Sequence, residues 1–166
     1  MKRIILCALA IFITATAVMG DNLILPGTRM DGAFIGMNYS VISKAWGPAD
    51  ESAETGDGLT AYKSKKYLTV FYVKDGALSM VETFSSSFIT ESGIKVGSHR
   101  QDVSNAYGAP LSQENYTLAC FDGKNRDLYM LLYTGEGIGF SFDSVTHKVF
   151  SIIVFPGGKF IDIFNE

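Results

Sequence analysis

The chain has 166 residues, 47% of them hydrophobic, with 12 Phe and 8 Tyr; this is enough apolar mass for a packed core and excludes long disorder. Its 14 Lys and Arg stand against 17 Asp and Glu, a net charge of −3, and no basic stripe is present. That pattern argues against a nucleic-acid partner and against attachment to anionic lipid, both of which need clustered cations.

Residues 1–20 read as a signal peptide. Lys2 and Arg3 precede the almost wholly apolar run Ile4–Ile13, and the small residues of "TATAVMG" follow. The run is short for a spanning helix of about 20 residues. The expectation is an exported protein, periplasmic or extracellular, with no integral membrane span after cleavage. Losing Lys2 and Arg3 leaves 12 basic against 17 acidic side chains, a net of −5. Cys120 is then the only cysteine left, so no disulfide can close within the mature chain. Its apolar context, "YTLACFD", reads as a buried thiol.

Residues 21–31 form an N-terminal segment. The phrase "IGMNYSVISKAWGPAD", Ile35–Asp50, follows, and "VGSHRQDVSNAYGAP", Val96–Pro110, nearly repeats it. Gly36/Gly97, Ser43/Ser104, Ala45/Ala106 and Gly47/Gly108 are identical pairs, and Trp46 matches Tyr107. Asn38 and Ser98 suit helix N-caps, with Gln101 completing a capping box on Ser98. Ile42, Ala45 and Trp46, like Val103, Ala106 and Tyr107, make an apolar stripe at i, i+3, i+4. Gly47 and Gly108 suit left-handed C-caps, and Pro48 and Pro110 prevent continuation. Each phrase predicts a short helix.

Strand-like runs come after each helix. "LTAYKS", "YLTVFYVK" and "ALSMVETF" follow the first, with "KDG" as a hairpin turn. "YTLACFD", "DLYMLLY", "GIGFSFD" and "KVFSIIVF" follow the second, with turns at "GKN" and "TGEG". The expected fold is therefore α+β: two tandem helix-then-antiparallel-meander repeats, residues 32–84 and 94–155, forming one sheet with both helices on one face. Residues 85–93 are the joint, and 156–166 are a C-terminal tail.

The spacing G-x-x-x-x-V/I-x-x-A-W/Y-G followed by Pro, and then a meander ending in "GALSMV" or "KVFSIIV", resembles the β-lactamase-inhibitory-protein family. It is also similar to the small envelope proteins of the SmpA/OmlA type. The resemblance covers Gly32 to Phe155. It implies an open, concave sheet face opposite the helices and a role in binding another protein.

No constellation for catalysis stands out. His99 and His147 fall in a first helical turn and a hairpin turn. A Cys120–His pair is the one nucleophilic candidate, and no oxyanion-type glycine cluster flanks it. Asp50, Glu51 and Glu54 fit no calcium-loop spacing. The glycines of "GEGIG" lie between strands, with no helix to present amides to a phosphate. No catalytic residue, metal or cofactor is therefore expected. Alternation along "DLYMLLY" separates Leu128, Met130 and Leu132 from Tyr129, Leu131 and Tyr133. With the Leu/Met set assigned to the helix side, Tyr129 and Tyr133 stand on the open face, joined by Tyr62 and Tyr72 from the first half. These four tyrosines are the expected partner-binding residues, for another envelope or extracellular protein. A carrier of a small apolar ligand in a cleft between the repeats is the alternative reading, and a Cys120-dependent enzyme the third.

Overall fold

The computed structural model describes residues 21–55, 58–119 and 124–158. The signal-peptide reading at 1–20, Cys120 and most of the C-terminal tail lie outside them. Among the described residues there are two helices of eight residues each and twelve strands. The chain is mostly β and builds two sheets, which overturns the α+β expectation of two helix-then-meander repeats on a single sheet.

The sheet that sequence reasoning missed has four very short strands: β1 (Leu23–Leu25), β2 (Arg29–Met30), β3 (Ala33–Phe34) and β8 (Ile89–Thr90). Its order is β3-β2-β1-β8, with β1 and β8 parallel. Strands of two or three residues carry no readable alternation, so the N-terminal segment and the joint gave no strand signal. Arg29 ties the start of this sheet to Asp21 through a 2.6 Å ion pair.

The larger sheet runs β4 (Glu51–Glu54), β5 (Thr60–Ser64), β6 (Thr69–Lys74), β7 (Ala77–Thr83), β12 (Val149–Val154), β11 (Ile138–Asp143), β10 (Asn125–Tyr133) and β9 (Ser112–Ala119). Every neighbouring pair is antiparallel. Direct pairing of β7 with β12 joins the two halves, and Ile153 at that junction is buried. The two halves are therefore continuous through backbone pairing at β7 and β12.

Helix α1 (Tyr39–Trp46) is capped by Asn38, whose side chain accepts the Ser40 N–H at 2.9 Å. Helix α2 (Arg100–Tyr107) starts one residue later than expected. His99 is its N-cap, and the Asp102 carboxylate accepts the His99 N–H at 3.0 Å, so Ser98 and Gln101 do not form the box. Gly47 and Gly108 end the helices at φ of 87° and 75°, a region that favours glycine. Ile42, Trp46 and Val103 are buried, while Ala106 is exposed. Two turns of helix bury too little to cover an eight-stranded sheet alone. The small sheet shares that work: Ile24, Met30, Ala33 and Phe88 pack with Trp46, Phe71, Val81, Phe140 and Ile152 in the main core.

Candidate functional site

Alternation within the larger sheet places its two faces in different surroundings. One face carries Phe71, Val81, Tyr129, Leu131, Tyr133, Phe140 and Ile152 and packs into the main core. The other carries Val70, Tyr72, Met80, Met130, Leu132, Ile153 and Phe155 in a second buried cluster. Tyr129 and Tyr133 thus lie on the helix side, opposite to the sequence expectation, and the Leu/Met set lies on the other side. Both sets are buried, and this is why "DLYMLLY" is apolar at every position from Leu128 to Leu132.

Tyr129 is 5% exposed, stacks on Phe142 at 5.1 Å and meets His147 Nδ1 through its hydroxyl at 3.1 Å. The Arg100 guanidinium lies over its ring at 5.4 Å. Tyr133 is 2% exposed, and its hydroxyl donates to the Gly108 carbonyl at 3.2 Å. Burial raises its phenol pKa. Both tyrosines hold α2 and the hairpin turn onto the sheet. Their expected solvent exposure is corrected: the strand is registered the other way, and a one-residue shift exchanges the faces. Tyr72 is also buried, on the second face.

Tyr62 differs from the other three. It is half-buried and stacks on Tyr39 of α1 with ring centroids 3.9 Å apart. The two rings line a groove of about 360 Å³ between α1 and the edge strand β4, with Ser43, Pro48, Glu51 and Ser52 on its walls. All four residues of β4 are exposed. Lys65 holds the rim together: its N–H donates to Asp50 Oδ2 at 2.7 Å, and its ammonium pairs with Glu51 at 2.7 Å. The acids of the expected solvated loop are thus partly engaged. Tyr39 was missed because it opens the helix, ahead of the apolar stripe. Its phenol pKa is raised, chiefly by burial and then by Tyr62.

The second face holds a polar group in apolar surroundings. Glu82 is 2% exposed and accepts the Tyr72 hydroxyl at 2.9 Å and the Ser151 hydroxyl at 2.6 Å. Nearby, the Tyr116 hydroxyl donates to Ser141 Oγ, and Ser141 is in register with Ser151. Burial raises the Glu82 pKa, against the two donors, and raises the Tyr72 phenol well above its ordinary range. A lone carboxylate in "ALSMVETF" was the signal for this group.

Among the described residues, no group of three or more His, Cys, Asp and Glu side chains is placed to hold a metal ion. No helix among them is long and apolar enough to cross a membrane. His99 and His147 are both exposed.

A mostly β chain with two sheets and an aromatic groove at one sheet edge is the class these features define. No family model matches the chain, and no curated protein matches it. Among solved structures, it is similar to a cysteine-rich secretory protein from Staphylococcus aureus, at 18% identity and a TM-score of 0.52, over 79% of this chain and 46% of that one. It is also similar to an extracellular protein containing a SCP domain from Bacillus anthracis, at 12% identity and a TM-score of 0.51, over 74% of this chain and 44% of that one. The chain spans less than half the length of either protein. At these identities the likeness is one of fold alone.

Proposed function

We propose that the chain is an exported, non-enzymatic binding module of the bacterial cell envelope, periplasmic or extracellular. It captures an extended segment of another protein at the groove beside β4. The observation that carries this reading is the stacked Tyr39–Tyr62 pair, half-buried at a groove whose far wall is an exposed edge strand. Tyrosine gives large contact area at small entropic cost and is enriched among binding hot spots. An edge strand offers backbone groups to an added strand, and adjacent pockets select its side chains. The basic start and apolar run of residues 1–20 support export. Kinship with the β-lactamase-inhibitory-protein family belongs to this proposal on the strength of the duplicated phrase, and it names no target.

The test places a photocrosslinking amino acid at Ser43 and, as a control, at Thr117 on the opposite edge, in cells that export the protein. Capture of a discrete partner from Ser43 and not from Thr117 is expected. It should fall at least about tenfold in Tyr39→Ala and Tyr62→Ala, as hot-spot truncation does. Undiminished capture in folded variants of both tyrosines would refute the site.

A further inference from the structure

The two halves of the larger sheet meet at one pair of strands. β7 and β12 share three registered residue pairs, Val81–Val154, Glu82–Ile153 and Thr83–Ile152, against eight between β9 and β10. Glu82 is the middle residue of that seam. Its Oε1 takes a hydrogen bond across the seam from Ser151, and its Oε2 takes one from Tyr72 on β6. One carboxyl therefore links three strands, from both halves of the chain, inside an apolar cluster with Met80, Ile153 and Phe155.

A buried carboxylate is normally retained with a cation. By alternation and register, the charged side chains on this face of the sheet are Glu51 on β4, Lys63 on β5, Lys74 on β6, Glu114 on β9, Arg126 on β10 and Asp143 on β11. The Arg126 guanidinium lies over the Phe150 ring at 5.5 Å. Among the described residues, Glu82 has no ion pair, and its hydrogen-bond partners are the two hydroxyls. The titratable group facing it from β6 is Tyr72; β12 presents only the Ser151 hydroxyl.

We propose that Glu82 is a proton-operated clasp: as the neutral acid it holds the β7–β12 seam closed, and its ionisation loosens the seam as pH rises. The neutral acid can accept one hydroxyl and donate to the other, which satisfies all three groups without a buried charge. The ionised form leaves an uncompensated charge in the apolar cluster.

The direction follows from burial. The carboxyl binds its proton more tightly folded than unfolded, because desolvation outweighs the two donors. Its contribution is fully present below the ordinary glutamate range and is lost as pH rises through the folded value. A single proton changes the folding equilibrium by at most about tenfold per pH unit in that window.

Hydrogen exchange of the mature protein, corrected for intrinsic rates, tests this at about pH 5 and about pH 8. Protection of the β7 and β12 amides should fall about tenfold or more relative to that of β10. In Glu82→Gln, a neutral isostere, seam protection should be the same at both pH values. The wild-type minus variant infrared difference spectrum should carry a protonated-carboxyl band at the lower pH that is lost at the higher. Unchanged wild-type seam protection would overturn the clasp, and so would an identical pH dependence in Glu82→Gln. If Glu82→Gln does not fold, the wild-type exchange of the seam against that of β10 decides by itself.

Discussion

Trp46 offers the sharpest test of how α1 is held. It is 4% exposed, and its ring meets Tyr67 at 4.9 Å, Phe71 at 5.2 Å and Phe88 at 5.8 Å. These partners come from the β5–β6 turn, from β6 and from the stretch before β8, so one side chain joins the helix to the larger sheet and to the approach of the smaller one. Trp46→Ala removes the whole contact and leaves a cavity that three separate segments cannot all close. A cost of about 3–5 kcal/mol follows. At about 2–4 °C per kcal/mol for a chain of this size, the melting temperature should fall by roughly 6–20 °C. Trp46→Phe should behave differently. The indole N–H is buried and, among the described residues, has no hydrogen-bond partner. Phenylalanine removes that donor, whose desolvation costs about 1–3 kcal/mol, while keeping much of the ring contact. The Phe variant should therefore lose less than half of what the Ala variant loses. Circular dichroism during urea and thermal unfolding is the assay, since Trp46 is the only tryptophan and fluorescence would vanish with it. A Phe variant as unstable as the Ala variant would refute the reasoning about the unpartnered donor. An Ala variant within about 1 kcal/mol of wild type would refute the role of the ring altogether.

Three further outcomes are expected. Tyr129→Ala should cost about 3–5 kcal/mol by denaturant titration, whereas Tyr129→Phe, which loses only the hydroxyl contact to His147, should cost about 0.5–1.5 kcal/mol. Gly137→Ala should cost about 3 kcal/mol or more, because its φ is 76° and a Cβ there would lie 2.6 Å from Gly27 Cα and 2.9 Å from Gly157 N; Gly36→Ala, with φ of 83° and open space around it, should cost only about 1–2 kcal/mol. The hydrogen bond from Arg29, above all, lowers the Asp21 carboxyl from 3.8 to about 2, so its stabilising effect is present above the ordinary carboxylate range and is lost as pH falls toward 2. Asp21→Asn should therefore flatten part of the acid limb of a melting-temperature profile, and by a small amount, since the pair is solvent-exposed.

Local chemistry is what the sequence by itself determined. Glycine after an apolar stripe ends a helix wherever it occurs, because only a residue without Cβ enters the left-handed region cheaply, and Gly47 and Gly108 do so here. Apolar runs bounded by "KDG" and "TGEG" had to be strands and turns for equally local reasons. Orientation was another matter. Alternation in "DLYMLLY" sorts six side chains into two sets, but only the strands and helices packed around them decide which set faces which layer. Both sets proved to be buried, so composition offered no tie-breaker, and the tyrosines went inward with hydroxyl partners on His147 and Gly108. The same holds for the smaller sheet. Strands of two or three residues have no stability of their own, and Leu23–Leu25 becomes a strand only because Arg29–Met30 and the distant Ile89–Thr90 lie beside it. The Tyr39–Tyr62 groove and the Glu82 clasp are likewise contacts between residues far apart in the chain or on different strands, and tertiary structure alone brings them together.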